Sequence, residues 1–345
     1  MKSVLRRRCH RHQMPPDWVP PAPAWAAQWP ADMETLTCAY FGVQGPESRS
    51  FERWYQDCLL GLEFAPLRLE SACFRDKAGI ENRVIIAYWR DSDYRQWWQQ
   101  TAVSHFWQDP ARYTEGVGYW REVFEVPLTH METLHSSPEV HGAANLATTL
   151  EGPIEEHGYP GAMRDRIQAS GEGDLVCRGA DLPEMTSYRI DDGRRIRIIP
   201  PAKMCIIRSG QDWRECSPEE GAFYREEVAP SLREGMDFLS AHPEEARCYS
   251  MRLMQNLDAS DRLDKQTFGL GYAADILAFE AWAKSHPTHL KIFGKFMNLV
   301  EIYGESMKLK LWHEVSVLTG DNAEFEYLMC HGETGLLPYA GQTNR

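Results

Sequence analysis

Apolar and polar residues follow two different spacings along the chain. A period of two is typical of strands with one buried face, and a period near 3.6 is typical of amphipathic helices. In the first half they predict strands at Thr37–Val43, Val84–Trp89 and Tyr119–Val126, and helices over Ser48–Leu62 and from Asp93 onward. In the second half they predict strands at Met204–Ser209, Cys248–Gln255, Thr267–Tyr272, Leu309–Val317 and Phe325–Cys330, and helices over Pro218–Leu239 and Ala274–Ile302. The pattern indicates an α+β protein.

Several features of the first half recur in the same order in the second half, which indicates an internal duplication. The matched pairs are Tyr88 with Tyr272, Trp98 with Trp282, Ser104-His105 with Ser285-His286, Tyr119–Val123 with Leu311–Val315, and Met131–Leu134 with Phe325–Leu328. We therefore expect two ferredoxin-like lobes of the dimeric α+β barrel type, with antiparallel sheets and outer helices.

The expected lobes cover residues 33 to 150 and 151 to 335. The second is expected to be the reactive lobe, because it has the titratable His313 where the first has Arg121. Residues 1 to 32, a basic stretch followed by a proline-rich one, are expected to form a mobile arm, and residues 336 to 345 a tail.

Charge and cysteine content exclude several classes of function. The chain has 50 acidic and 37 basic residues and a net charge of −13, which disfavours nucleic acid and anionic membranes as partners. Neither a membrane span of roughly 18 apolar residues nor a signal peptide is evident, so we expect a soluble, cytoplasmic protein. The nine scattered cysteines include no CxxC pair, which favours reduced thiols over an iron–sulfur cluster or a structural zinc site.

Two histidines, His286 and His289, lie three positions apart at the start of a predicted helix. A zinc site would need further ligands, and His286 alone is equally well explained as a residue that begins the helix. His289 is a candidate haem ligand, since that role needs one neutral imidazole facing an apolar pocket. The pocket would be lined by Leu290, Ile292, Phe293, Phe296 and Met297, although an ordinary buried helix face has the same spacing.

His313 lies in a strand whose alternation puts it on one face with Leu311, Val315 and Val317. Most histidines among aliphatic neighbours are core residues, and the functional alternative is a proton donor in a dry pocket. Ser209 precedes Gly210 at the end of another strand, without the GxSxG context of a hydrolase nucleophile. It is either a hydrogen-bonding residue at a pocket edge or a turn residue.

The sequence strongly resembles the aldoxime dehydratases, haem enzymes that make nitriles. The resemblance covers nearly the whole chain beyond the arm. Its most specific segments are Ile154–Tyr159 with Arg164–Arg166, Ile207–Trp213, Ser285–Leu290 and Trp312–Val317.

The resemblance implies a role for each residue that matches these segments. His289 would be the proximal iron ligand of haem b, and His313 the distal acid–base residue. Ser209 would bind the oxime hydroxyl, while Arg166, with Arg164 as the alternative, and Glu132 would support His313. The implied reaction is dehydration of an aldoxime on ferrous haem, and the implied assembly is a homodimer.

Two alternatives belong to other classes. A haem peroxidase or a chlorite-decomposing enzyme on the same scaffold would favour a distal Arg or Asp, whereas the pair of His313 and Ser209 favours a substrate with its own hydroxyl. A cofactor-free α+β binding module would show no Soret band when purified.

Overall fold

The computed structural model describes residues 13–171, 175–177, 179–320 and 322–341. Its strands are β1 (Ala26–Gln28), β2 (Thr35–Gln44), β3 (Arg68–Arg75), β4 (Glu81–Arg90), β5 (Gly118–Pro127), β6 (Met131–His135), β7 (Thr149–Glu151), β8 (Thr186–Ile190), β9 (Arg195–Ile199), β10 (Cys205–Asp212), β11 (Cys248–Leu257), β12 (Leu263–Ala273), β13 (Lys310–Val317) and β14 (Ala323–Leu328). Its α-helices are α1 (Arg49–Trp54), α2 (Asp93–Trp98), α3 (Thr101–Gln108), α4 (Ala162–Arg166), α5 (Pro218–Phe223), α6 (Ala229–Ala241), α7 (Pro243–Ala246), α8 (Ile276–Ser285) and α9 (Pro287–Tyr303).

The predicted strands are confirmed, and the helices differ in detail. The helix predicted over Ala274–Ile302 is two helices, α8 and α9, because His286 between them has an extended backbone. The long helix predicted from Pro218 contains a π-helical stretch, Tyr224–Val228, between α5 and α6. Strands β1, β3, β6, β7, β8 and β9 were not predicted. Polar and charged residues interrupt β3, so its alternation is weak.

Twelve of the strands form one sheet in the order β6-β13-β10-β12-β11-β3-β4-β2-β5-β14-β9-β8. All of the neighbouring strands that pair in this sheet are antiparallel. Strands β2 to β5 lie together, as do β10 to β13, and each group has its first strand between its third and fourth. The two groups meet where β3 pairs with β11.

Each half gives one strand to the other half. Strand β6, which follows the first group, pairs with β13, and β14, which follows the second group, pairs with β5. Because these pairings join distant parts of the chain, neither half forms its complete sheet alone.

The inner faces of both groups pack into a common core. It contains aromatic and aliphatic side chains from both halves, among them Tyr40, Ile86, Phe268 and Leu270. Two hydrogen bonds cross this core, and in each a tyrosine of one half donates to a glutamate of the other half. The Tyr88 hydroxyl donates to Glu314 at 2.6 Å, and the Tyr272 hydroxyl donates to Glu122 at 2.5 Å.

The sheet register shows which residues hold the same places in the two groups of strands. Gly42 is opposite Trp120, and Gly210 is opposite Trp312, in strands that hold corresponding places in the two groups. In this register Glu132, opposite Val315, corresponds to Glu324, opposite Val123. The sequence comparison that aligned Met131–Leu134 with Phe325–Leu328 is therefore shifted by two residues. Such a shift keeps every side chain on the same face, so the alternation of apolar residues does not reveal it.

Of the mobile arm predicted for residues 1 to 32, residues 1 to 12 lie outside the described residues, and the part from residue 13 onward makes contacts with the rest of the molecule. Strand β1 pairs with β7, and the backbone of Trp25 exchanges two hydrogen bonds with His135. The described part of the predicted tail also packs, since Leu336 is buried and the Gly341 carbonyl accepts a bond from Ser187.

Helices cover the outer faces of the two groups. The cover of β2 to β5 is a cluster rich in tryptophan, in which Phe41 contacts the rings of Trp54, Trp97 and Trp107. The cover of β10 to β13 is mainly aliphatic and methionine-rich. Among the described residues, no helix is both long and apolar enough to span a membrane.

Candidate active site

The outer face of β10 and β13 carries two polar residues side by side. Ser209 and His313 are direct partners in the register of these antiparallel strands. Direct partners project to the same side of a sheet, about 4.5 to 5.5 Å apart at Cβ. His313 is 23% exposed, whereas Val315, two residues along on the same face, is fully buried. The pair therefore lies at the boundary between the apolar cluster and open space.

Glu132 reaches His313 from the exchanged strand β6. The Nε2 atom of His313 lies 2.9 Å from Oε1 of Glu132. Because an ionised carboxylate only accepts, Nε2 donates in this bond when it carries a proton; it also lies 3.1 Å from Nη2 of Arg166, a donor from which an unprotonated Nε2 would accept. The other ring nitrogen, Nδ1, makes no hydrogen bond with any described residue.

Arg166, the last residue of α4, holds Glu132 from the other side. Its Nε donates to Oε2 of Glu132 at 2.7 Å and its Nη2 lies 3.1 Å from Oε1. Its Nη1 donates to the Glu156 carbonyl at 2.6 Å. Burial opposes the ionised form of Glu132, but Arg166 and His313 outweigh it and lower the pKa of Glu132 to about 2. The carboxylate is thus charged at neutral pH.

Arg164, the alternative to Arg166, points elsewhere. Its Nε donates to Glu280 of helix α8 at 2.7 Å, and its side chain is 31% exposed. The geometry therefore favours Arg166 as the arginine beside His313.

His289 lies in the helix layer, outside the cluster of Ser209, His313, Glu132 and Arg166. Its ring contacts Trp282 edge-on at 4.7 Å between centroids. Burial lowers the pKa of His289, so the imidazole is neutral, as a metal ligand must be. Ile292, one helical turn later, belongs to the same apolar cluster as Ile207 and Val315, which flank Ser209 and His313.

These features fit a haem held by His289 between helix and sheet. The wall of the sheet is apolar, and two glycines, Gly269 and Gly271, leave it without side chains at its centre. A Cβ at Gly269 would lie 2.9 Å from Met236 Sδ, and one at Gly271 would lie 2.5 Å from Met251 Cε. The buried Nδ1 of His289 makes no hydrogen bond of normal geometry. A neutral imidazole beside soft, adaptable methionines suits an apolar macrocycle.

His286 has a structural role. Its Nδ1 accepts from the Thr288 backbone at the start of α9, and its ring stacks on Phe238 at 3.8 Å. Within the described residues, no group of three or more His, Cys, Asp or Glu side chains that could hold a metal ion is found. Leu290 and Phe293 are about half exposed and do not line the interior as the sequence suggested.

The corresponding place in the first half is closed. Phe41 occupies the position of Ser209, and Arg121 that of His313. Arg121 forms ion pairs with Glu324 and Glu326, and its guanidinium lies 4.2 Å above the Trp98 ring. The first half therefore lacks the polar pair of the second.

Several residues around Arg166 lie in segments that carry the resemblance, Ile154–Tyr159 and Arg164–Arg166, but they were assigned no individual role from the sequence. His157 is 6% exposed and its Nε2 makes no hydrogen bond, while the Tyr159 hydroxyl donates to Asp165 at 2.8 Å. The density of charged residues in Glu155–Arg166 was the available signal, but such stretches are usually solvated surface. Contacts with Trp18 of the N-terminal segment had no signal in the sequence.

Comparison with known proteins identifies close relatives. The model of the family described as haem-containing dehydratase matches residues 39–336. The chain is 32% identical over 332 residues to an aliphatic aldoxime dehydratase of Pseudomonas chlororaphis. The alignment covers 94% of this chain and 93% of that protein. It is 30% identical over 340 residues to a phenylacetaldoxime dehydratase of Bacillus sp. (strain OxB-1), with 94% of each chain covered.

Solved structures agree. A crystal structure of an aldoxime dehydratase superposes with a TM-score of 0.88 at 31% identity, covering 97% of this chain and 96% of that one. An aldoxime dehydratase in complex with butyraldoxime has a TM-score of 0.88 at 29% identity, covering 98% of this chain and 94% of that one. The resemblance expected from the sequence is confirmed. The chain therefore belongs to the haem-containing dehydratase family, as a lyase of the aldoxime dehydratase type.

Proposed function

We propose that this chain removes water from aldoximes, R–CH=N–OH, to give nitriles through His313, Ser209, Glu132 and Arg166, with haem b held by His289 in the ferrous state. The observation that carries the proposal is the pairing of Ser209 with His313, backed by the Glu132–Arg166 ion pair. When bound, the haem iron would coordinate the oxime nitrogen and supply electron density for breaking the N–O bond.

His313 acts first as an acid and then as a base. Hydroxide is a poor leaving group, so protonated His313 delivers the Nδ1 proton to the oxime oxygen as the N–O bond breaks and its electron pair leaves with water. Neutral His313 then removes the proton from the substrate carbon, and the C–H electrons complete the C≡N bond. The two transfers balance, so the histidine is regenerated. General acid–base help of this kind contributes roughly 10²- to 10⁴-fold in rate.

Ser209 and the ion pair have supporting roles. The Ser209 hydroxyl, beside His313, hydrogen-bonds the oxime oxygen and orients it toward the ring. Glu132 accepts from Nε2 and stabilises the protonated ring, and Arg166 keeps Glu132 ionised and fixed. Both charges are buried, so their alignment costs little rearrangement during the reaction.

A peroxidase also uses a distal arginine, but the partners of Arg166 disfavour that alternative. Its guanidinium makes three contacts with Glu132 and the Glu156 carbonyl, and its Nη2 also lies 3.1 Å from Nε2 of His313. A guanidinium engaged in this way supports a carboxylate and is not free to polarise a peroxide.

The roles are tested by reducing the purified protein anaerobically with dithionite, adding butyraldoxime or phenylacetaldoxime, and measuring the Soret band and nitrile. We expect His289→Ala to lose the Soret band, and His286→Ala, its matched control, to keep it. We expect His313→Ala to keep haem and lose turnover.

Retention of haem and full turnover by His289→Ala would contradict the ligand assignment. Full turnover by His313→Ala would contradict the acid–base assignment. Arg164→Ala is the control for Arg166→Ala, since only Arg166 contacts Glu132.

Three further proposals concern the origin of the fold, the location of the protein and its assembly. The matching strand orders and the reciprocal Tyr88–Glu314 and Tyr272–Glu122 bonds favour an origin by duplication of a ferredoxin-like unit. Seven of the described cysteines, Cys38, Cys58, Cys73, Cys205, Cys216, Cys248 and Cys330, are free thiols, which favours a cytoplasmic location. The homodimer implied by the resemblance is tested by light scattering of the purified holoenzyme.

A further inference from the structure

We propose that Trp18 is a positioning residue for Arg166, acting from an N-terminal strap, residues Gln13–Pro21, that clamps the segment Glu155–Arg166. The inference rests on the role proposed above for Arg166. It assigns a catalytic consequence to a part of the chain that the sequence predicted to be mobile.

Three contacts join the strap to the segment. The Trp18 indole Nε1 donates to the His157 carbonyl at 2.9 Å, and its ring meets Tyr159 edge-on at 5.6 Å and 78°. The Gln13 backbone N–H donates to Oδ2 of Asp165 at 2.8 Å. The same carboxylate oxygen accepts from the Tyr159 hydroxyl. The strap therefore binds the segment near both of its ends.

The segment is shaped to receive the strap at two glycines. Gly158 and Gly161 have φ values of +79° and +92°, a region that favours glycine. A Cβ at Gly158 would lie 2.7 Å from Cδ of Pro21, and one at Gly161 would lie 2.8 Å from Cβ of Gln13. The strap therefore occupies the space that side chains at these two positions would fill.

The two hydrogen bonds of the strap are each made one residue away from Arg166 or from its partner Glu156. The Glu156 carbonyl, which accepts from Arg166 Nη1, precedes His157, whose carbonyl accepts from Trp18. Asp165, which accepts from the Gln13 N–H, precedes Arg166 itself. If the strap is released, the segment can shift and take Arg166 away from Glu132. Small displacements at a reacting site cost up to about 10²-fold in rate.

The test is a double-mutant cycle in the holoenzyme, with kcat and KM for butyraldoxime measured for Trp18→Ala, Arg166→Ala and the double variant. We expect Trp18→Ala to lower kcat by roughly tenfold with an unchanged Soret band and a nearly unchanged KM. If Trp18 acts through Arg166, the double variant has the kcat of Arg166→Ala alone. Trp18→Phe keeps the ring and loses the hydrogen bond, so it should fall between wild type and Trp18→Ala.

Val19→Ala is the matched control, since Val19 is in the strap and 79% exposed, and its kcat should not change. If Arg166→Ala lowers kcat but Trp18→Ala either leaves kcat unchanged or adds its full effect in the double variant, the strap proposal is overturned while the role of Arg166 stands. If Arg166→Ala leaves kcat unchanged, the role of Arg166 fails, and the strap proposal with it. Should Trp18→Ala not fold, Trp18→Phe carries the same cycle.

Discussion

At the scale of single residues, the site depends on one charge held in a buried place. Glu132 is 4% exposed and is kept ionised by Arg166 and His313. Breaking one member of such a buried network leaves the others uncompensated, which is far more costly than losing an exposed ion pair.

Glu132→Gln keeps the shape of the side chain and removes its charge. We expect kcat to fall by roughly 10²-fold, the scale of general acid–base help, with haem content unchanged. Steady-state rates with butyraldoxime check this expectation. A normal kcat would show that Glu132 does not act on His313.

His135 predicts a dependence of stability on pH. It is 1% exposed, and burial, with help from His141 and His313, lowers its pKa to about 3. Between about pH 6.5 and 3 the unfolded chain binds a proton that the folded chain does not. The free energy of unfolding therefore decreases as the pH is lowered, by up to about 1.4 kcal/mol per pH unit. The free energy of unfolding, measured in urea, should decrease from pH 6.5 to pH 5 by about 2 kcal/mol more for wild type than for His135→Phe. Equal losses would show that His135 is not the group responsible.

At the scale of elements, close strand contact requires glycine at Gly210. The Trp312 ring covers Gly210 so tightly that a Cβ would overlap it, and Trp120 covers Gly42 in the same way. Gly210→Ala should therefore cost about 1 to 3 kcal/mol in the free energy of unfolding. Gly294→Ala, in the interior of α9 with open space around it, should stabilise by about 0.5 to 1 kcal/mol. Denaturant unfolding of both variants checks this, and equal effects would contradict the packing argument.

The elements also show what the sequence can and cannot predict. The strands of β10 and β13 have strong alternation, so their extent and the face of His313 were predictable. The partner of β13 was not, because β6 is short and comes from the other half of the chain. Local patterns carry no information on such distant pairings, and Glu132 was identified by resemblance alone. The strap was unpredictable for the same reason, since its bonds join residues far apart in sequence.

At the scale of the whole molecule, two similar halves have different interiors. Four aromatic rings, those of Phe41, Trp54, Trp97 and Trp107, fill the first half where the second has Ser209 and its apolar wall. We expect one haem per chain, measured as the ratio of pyridine haemochrome to protein in the holoenzyme. A ratio of two would contradict the assignment of the first half as closed.

The exchanged strand β6 also sets the order in which the protein matures. Glu132 and His313 are 181 positions apart in the chain, so the pair cannot form on the ribosome until β13 has emerged. Until then β6 has an unpaired edge, which is a site of aggregation in an incomplete chain. Contacts of such long range also slow folding. The strand that completes the acid–base pair is thus synthesised in the first half of the chain, and its partner follows only near the end of synthesis.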